Sequence, residues 1–233
     1  MSEVKVLLDQ REFSESVFLG AMLGDAGMSK TNVNGNARFR IGHSINKSEY
    51  LMWKLKHLRE LVEITQVGII KGGVYEKSPN DYVYFTSRRD PYITEFYERL
   101  YIDGRKTFTE DLINRIDEIA LSVLFMDDGS YDSHIDNLDY WLHFNSHEKY
   151  ELEIMIKHLE KRFQIYPKIQ KVNKGAGFAL RFLRRDSERI DEIIRPVVSQ
   201  IECMRYKLHF DNPNLSKLTY SKELPSFSKE ASE

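Results

Sequence analysis

The chain has 233 residues, 41% of them hydrophobic and 30% charged, enough apolar mass for one large domain or two small fused ones. Its single cysteine, Cys203, excludes an intrachain disulfide framework and fits a reducing intracellular compartment, whether cytoplasm, nucleoid or organelle matrix. The longest apolar run, Ile119–Met126, is too short to cross a bilayer, no signal-type segment follows the N-terminus, and the formal net charge of −2 argues at first against a nucleic-acid partner.

That acid surplus sits at the ends. Residues 1–15 hold two bases against four acids, residues 211–233 hold three against four, and the body between is left at +1. Charge is also segregated along the body. Lys30, Arg38, Arg40 and Lys47 occupy one acid-free stretch, and Lys168, Lys171, Lys174, Arg181, Arg184 and Arg185 occupy another.

In chain order, an apolar helix runs through Phe18-Leu-Gly-Ala-Met-Leu-Gly and ends at Asp25-Ala26. An alternating strand follows, Ala37–Ile41, with Arg38 and Arg40 on one face and Phe39 and Ile41 on the other. The next helix carries Lys56-His57-Leu58 and an apolar stripe of Leu51, Leu55, Leu58 and Val62. Two strands, Gly68–Tyr75 and Tyr82–Thr86, flank a polar turn, with Tyr82, Tyr84, Thr86 and Arg88 on one face. A helix near 91–102 closes this half.

The same order then repeats. A helix from Leu121 ends in Asp127-Asp128-Gly129, and a strand follows, Tyr140–Phe144, with Trp141 and His143 on one face. A helix with Lys157-His158-Leu159 carries the stripe Ile154, Ile156, Leu159 and Phe163. Strands Tyr166–Val172 and Phe178–Leu183 flank a Gly-rich turn, and a helix near 187–199 closes the half. Asp25 and Asp128 lie 103 residues apart, Lys56 and Lys157 101 apart, and Lys106 and Lys207 101 apart. Matched acid, helix and lysine at near-constant spacing indicate a duplicated α+β protein made of two αββαββα units. The halves span 15–102 and 116–211, joined by a linker at 103–115 that opens with the turn former Asp103-Gly104 and followed by a tail at 212–233 expected to be loosely ordered or to wrap on the surface.

The paired helices also carry chemistry. Gly20 and Gly24, four apart, give the first helix a face on which another backbone can approach closely. The second helix has Val123 and Asp127 at the aligned positions, so the packing is asymmetric. An acid at a helix C-terminus opposes the helix dipole, and two such acids brought together repel. A divalent cation bound by hard oxygen ligands relieves that repulsion. Of the Asp127-Asp128 pair, the place before Gly129 selects Asp128 as the ligand and leaves Asp127 as a helix-end or supporting residue.

These two helices resemble the LAGLIDADG motif of homing endonucleases, and two copies in one chain resemble the single-chain, group I intron-encoded members. The likeness covers roughly residues 15–210. It implies two curved antiparallel sheets forming a saddle over DNA, with the motif helices at the interface between halves. It also implies a monomer that cuts both strands of a long, rare site across the minor groove with Mg2+, Mn2+ being an alternative, and leaves short 3′ overhangs. The implied metal set is Asp25 and Asp128 with Ala26 and Gly129. Lys106 and Lys207 stand where the family carries basic residues near the active sites, polarising water or stabilising phosphate charge.

The expected double-stranded DNA contacts are Lys30, Arg38, Arg40, Lys47, Lys71, Tyr82, Tyr84, Trp141, His143, Lys168, Gln170, Lys171 and Arg181. Arg88-Arg89 and Arg184-Arg185, at matching hairpin ends, are the expected phosphate anchors. His57 and His158 read as scaffold or surface residues. Intron RNA, bound as by a maturase, is the alternative partner, and a non-catalytic DNA-binding protein of the same fold is the other alternative. The chain shows no splicing motifs at its ends, which favours an intron over an intein as its host element.

Overall fold

The computed structural model describes residues 9–72, 81–134, 137–172 and 177–208. The tail at 212–233, Lys174 and most of both expected polar turns lie outside those residues.

The first half runs α1 (Gln10–Leu23), β1 (Gly27–Ser29), β2 (Arg38–Ser44), α2 (Ser48–Leu58), β3 (Ile64–Ile70), β4 (Tyr82–Ser87) and α3 (Pro91–Leu100). A connecting segment contributes the small hairpin β5 (Tyr101–Ile102) and β6 (Arg105–Lys106) and the helical turn α4 (Glu110–Ile113). The second half runs α5 (Glu118–Asp128), β7 (Gly129–His134), β8 (Asn137–Phe144), α6 (Lys149–Phe163), β9 (Lys168–Lys171), β10 (Phe178–Phe182) and α7 (Arg184–Val198). The two antiparallel sheets have the same topology, β1-β2-β4-β3 and β7-β8-β10-β9. The order αββαββα is therefore present twice.

Local chemistry sets the helix starts. Asp117 accepts from the backbone N–H groups of Ile119 and Ala120 at 3.1 and 2.8 Å and so opens α5. Asp90 does the same for Tyr92 at 2.8 Å, with Pro91 pre-set for the first helical position of α3. The hairpin between the halves turns at Asp103 (φ 51°) and Gly104 (φ 76°), the left-handed pair that a two-residue β-turn requires.

Helices α1 and α5 pack against each other, with Val17, Ala21, Met22, Ala120, Val123 and Leu124 fully buried. Gly20 allows the approach: a Cβ there would lie 2.5 Å from the Ala120 carbonyl oxygen and 2.7 Å from Val123 Cβ. Gly24 makes room in the same way for the Asp127 side chain, 2.6 Å from where a Cβ would stand. A glycine on one helix thus faces a bulkier residue on the other at both levels.

Several elements differ from the sequence reading. β3 starts at Ile64 and ends at Ile70, because its partner β4 fixes the register from Ile64↔Ser87 to Ile70↔Tyr82. In α6 the buried apolar positions are Leu152, Met155, Leu159 and Phe163, while Ile154 and Ile156 are only half-buried at its edge. Arg184 and Arg185 do not end a hairpin. They form the first turn of α7, whose apolar face (Ile190, Ile194, Val197) anchors the helix from Arg184 onward.

Candidate active centre

Asp25 stands just past Gly24, the residue that caps the C-terminus of α1, and Asp128 is the last residue of α5. The crossing of these helices puts both acids in one place. Burial raises the Asp128 carboxyl to about 7, and the charges of Asp25 and Asp127 push in the same direction. Burial, then the charge of Asp127, raises Asp25 as well. Two carboxylates that repel each other at the negative ends of two helices, Asp25 half-exposed and Asp128 half-buried, form a hard-oxygen donor set that suits a divalent cation.

Each acid has a lysine beside it, placed by the repeat. Lys106 Nζ donates to the carbonyls of Gly24 (2.6 Å) and Ala26 (2.8 Å), bracketing Asp25. Lys207 Nζ donates to the carbonyl of Gly129, next to Asp128. Gly129 is the repeat counterpart of Ala26, so the two contacts are equivalent. Burial lowers both ammonium pKa values, Lys207 to about 8. The carbonyls of Ala26 and Gly129, named with the acids as metal positions, are thus engaged by the two lysines.

Asp127 belongs to a polar cluster that the sequence does not reveal. Its side chain is fully buried and accepts from Lys54 Nζ at 2.6 Å, Tyr50 Oη at 2.9 Å and the backbone N–H of Asp25 at 3.2 Å. Lys54 is itself fully buried on the core stripe of α2. His43, on the inward face of β2, brings Nε2 to 3.3 Å from Lys54 Nζ and Nδ1 to 3.7 Å from Asp25 Oδ2. Asp25, His43 and Asp127 have ligand-type atoms within 4.8 Å of one another. Asp127 nevertheless makes a poor ligand, because Lys54 and Tyr50 already hold one of its oxygens and the Asp25 N–H the other. A lysine at position 54, between Leu51 and Leu55, is the one hint of this cluster that the sequence carries.

The outer faces of the sheets hold most of the expected DNA contacts. Arg38 and Arg40 are exposed on β2, and the Arg40 guanidinium stacks 3.7 Å from the Tyr84 ring. The Tyr84 hydroxyl accepts from Gln66 at 2.9 Å, and Tyr82 lies across Gly42, where a Cβ would meet its ring at 2.5 Å. In the second sheet the register aligns Trp141, Arg181 and Lys168 across one face, and His143, Ala179 and Gln170 next to them. Lys171 pairs with Phe178 and so faces the opposite way from Lys168 and Gln170.

Many of these cations are already engaged. Arg181 is held by Asp139 (2.7 Å from Nε), Lys30 by Glu98 (2.7 Å), Lys71 by Asp81 (2.9 Å) and Arg88 by Glu63 (2.7 Å). Arg89 donates to the Asn36 carbonyl, Arg184 pairs with Glu188, and Lys47 lies 5.8 Å from the Tyr206 ring. His143 shares a 2.8 Å hydrogen bond with Ser130. His57 and His158 are buried, His57 between Phe13 and Trp53, and His158 at 2.8 Å from the Ile116 carbonyl.

The two acid-tipped helices at the centre of a duplicated αββαββα chain match a family model, that of the LAGLIDADG DNA endonuclease family, over residues 15–190. The chain belongs to this family. Among solved structures, the homing endonuclease I-WcaI bound to its DNA recognition sequence superposes with a TM-score of 0.73 at 21% identity, covering 91% of this chain and 96% of that one. Mesophilic variants of the homing endonuclease I-DmoI superpose at 0.51 with 16% identity, covering 80% and 97%. At these identities the likeness is one of fold, and this α+β family member shares the homing-endonuclease fold. Its curated relatives include the RecA protein of Mycobacterium shimoidei, 33% identical over 128 residues (54% of this chain, 27% of that protein). The RecA protein of Mycobacterium gastri is 23% identical over 226 residues (89% and 49%). The chain therefore aligns with about a quarter to a half of these relatives' length. Among the described residues no helix is long and apolar enough to cross a membrane.

Proposed function

We propose that this family member is a site-specific endonuclease that hydrolyses one phosphodiester in each strand of a long, rare DNA site. The observation that carries this reading is the meeting of two helix-end carboxylates, the half-exposed Asp25 and the half-buried Asp128, each with a lysine on the neighbouring backbone. A divalent cation bound by these acids, Mg2+ with Mn2+ as an alternative, supplies charge neutralisation at phosphate and acidifies water. The residues themselves do the placing. The crossing of α1 and α5 fixes the distance between the acids, and Lys106 and Lys207 hold the backbone on which each acid stands. The basic and aromatic outer faces of the two sheets grip the duplex on either side, Arg40 on its Tyr84 platform and Trp141, Lys168 and Gln170 opposite.

Both motifs lie in one chain, so a monomer suffices, acting in a reducing compartment compatible with the free Cys203. Retention of both acids favours cleavage over the maturase and non-catalytic readings, since binding RNA or DNA alone does not require them. The test uses purified protein, Mg2+ and plasmids carrying randomised duplex sites, with sequencing of the cut ends. Double-strand cuts at one site with short 3′ overhangs are expected, and Asp25→Asn and Asp128→Asn should abolish them. Failure of the wild type to cut, or undiminished cutting by either variant, would overturn the proposal.

A further inference from the structure

We infer that His43 is a positioning residue dedicated to one of the two cutting centres, presenting an Nδ1–H to Asp25 while Lys54 holds its other ring nitrogen. The inference rests on the nuclease reading for its consequence, but its geometry stands independently.

Three contacts fix the ring. His43 is 6% exposed and stacks on Tyr50 with ring centres 5.1 Å apart and planes 29° apart. Lys54, whose ammonium is 2.6 Å from Asp127 and 4.3 Å from the Tyr50 ring, reaches His43 Nε2 at 3.3 Å. An ammonium can only donate, so Nε2 must accept, and a neutral imidazole then carries its one proton on Nδ1. Nδ1 faces Asp25 Oδ2 at 3.7 Å, a gap closed by a small rotation of the half-exposed carboxylate. Acting as a metal ligand through Nδ1 would force the proton onto Nε2, donor against donor with Lys54. The same geometry that makes His43 a donor to Asp25 therefore bars it from ligating.

The device exists in one half only. The sheet registers align Arg40 with Trp141 beside the Gly27 and Ser130 positions, which places Phe144 at the counterpart of His43. The shared Lys-His-Leu run places Met155 at the counterpart of Lys54 and Glu151 at that of Tyr50, and the acid spacing places Gly24 at that of Asp127. Asp128 therefore lacks the imidazole donor that serves Asp25. Hydrogen bonds that orient a ligating carboxylate contribute on the order of 10–100-fold to metal affinity or rate.

Three variants and two independent readouts test this. His43→Asn places an amide N–H where Nδ1 stood, His43→Gln places one near Nε2, and His43→Phe installs the residue of the other half. Long-range 1H–15N correlation of the imidazoles in the metal-free wild type, with the His43 signal assigned by its loss in His43→Asn, should show the Nδ1–H tautomer. Mn2+ titration followed by electron paramagnetic resonance should show weaker binding in His43→Phe and His43→Gln, by roughly 10–100-fold at one site, with affinity retained in His43→Asn. Strand-resolved nicking should show the same ranking for the strand most sensitive to Asp25→Asn, with the other strand and the KM for DNA unchanged.

An Nε2–H tautomer, 14N hyperfine coupling from His43 to bound Mn2+, or equal slowing of both strands in His43→Phe would overturn the inference. If the wild type cuts no DNA, the endonuclease proposal fails, and the tautomer and Mn2+ affinities still decide the role of His43.

Discussion

Replacing Lys54 with methionine isolates the energetics of the buried cluster. Lys54 and Asp127 are both fully buried and 2.6 Å apart, so removing the ammonium leaves an ionised carboxylate in the core with only the Tyr50 hydroxyl and the Asp25 N–H to compensate it. Breaking a buried pair from one side costs about 3–5 kcal/mol, because the remaining charge is neither hydrated nor neutralised. In a body of this size, where 1 kcal/mol moves Tm by roughly 2–4 °C, the expected drop is roughly 6–20 °C. Removing both charges behaves differently. Lys54→Met with Asp127→Asn replaces the pair by neutral groups, and the other half already shows that a buried methionine fits the equivalent place, Met155 being fully buried. The double variant should recover most of the loss, giving a coupling energy of about 2–4 kcal/mol. Urea unfolding of wild type, both single variants and the double variant, with unchanged m-values, measures the cycle. A Lys54→Met cost below about 1 kcal/mol, or a double variant as unstable as the single, would refute the claim that these charges compensate each other in a dry environment.

Three further outcomes follow from the same structure. Gly20→Ala should destabilise by about 1–3 kcal/mol through the clash with Ala120 and Val123, although alanine in an unconstrained helix would gain about 1 kcal/mol; a gain in urea midpoint would mean that the helices are not in close contact there. Asp128→Asn should stabilise the metal-free protein. Because the folded carboxyl titrates at about 7 against 3.8 unfolded, ionisation costs the fold up to about 4 kcal/mol, less where water screens it. That cost is absent below about pH 4, grows as pH rises and is complete above about pH 7, so the variant's Tm advantage should appear at about pH 8, vanish at about pH 4 and shrink when Mn2+ stabilises the wild type. Asp139→Asn should release Arg181 from its carboxylate partner, tightening DNA binding and steepening the salt dependence of log Kd by about one phosphate contact; an unchanged slope in salt-titrated binding assays would show that Arg181 stays off the backbone.

Much of this molecule is legible from the chain because its signals are local or repeated. The period-2 alternation of Arg38-Phe39-Arg40-Ile41 and of Tyr140–Phe144 places the same residues inside and outside as the structure does, since a strand's pleat leaves no other choice. The matched spacing of Asp25 with Asp128 and of Lys106 with Lys207 exposes the duplication, and a duplicated chain folds into two copies of one topology. Pairing decides the rest. β3 begins at Ile64 because β4 sets its register, and Arg184 begins a helix because residues further along α7 anchor it. Lys171 turns away from Lys168 and Gln170 because strand parity, counted from the Phe178 pairing, puts it there.

The polar cluster behind Asp25 is the clearest case of what only the tertiary structure decides. His43, Tyr50 and Lys54 come from a strand and a helix of one half and Asp127 from a helix of the other. No spacing rule links them, and two of them stand at positions that an apolar stripe or a motif comparison would pass over. The sequence by itself determined that two helices end in acids, that the chain is doubled and that its strands are basic. Only the packing of α1 on α5 turned Asp127 from a neighbour of the second acid into the residue that holds the backbone of the first. That difference is physical: a helix end is written in consecutive residues, whereas the neutralisation of a buried charge depends on whatever side chain the fold brings within about 3 Å of it.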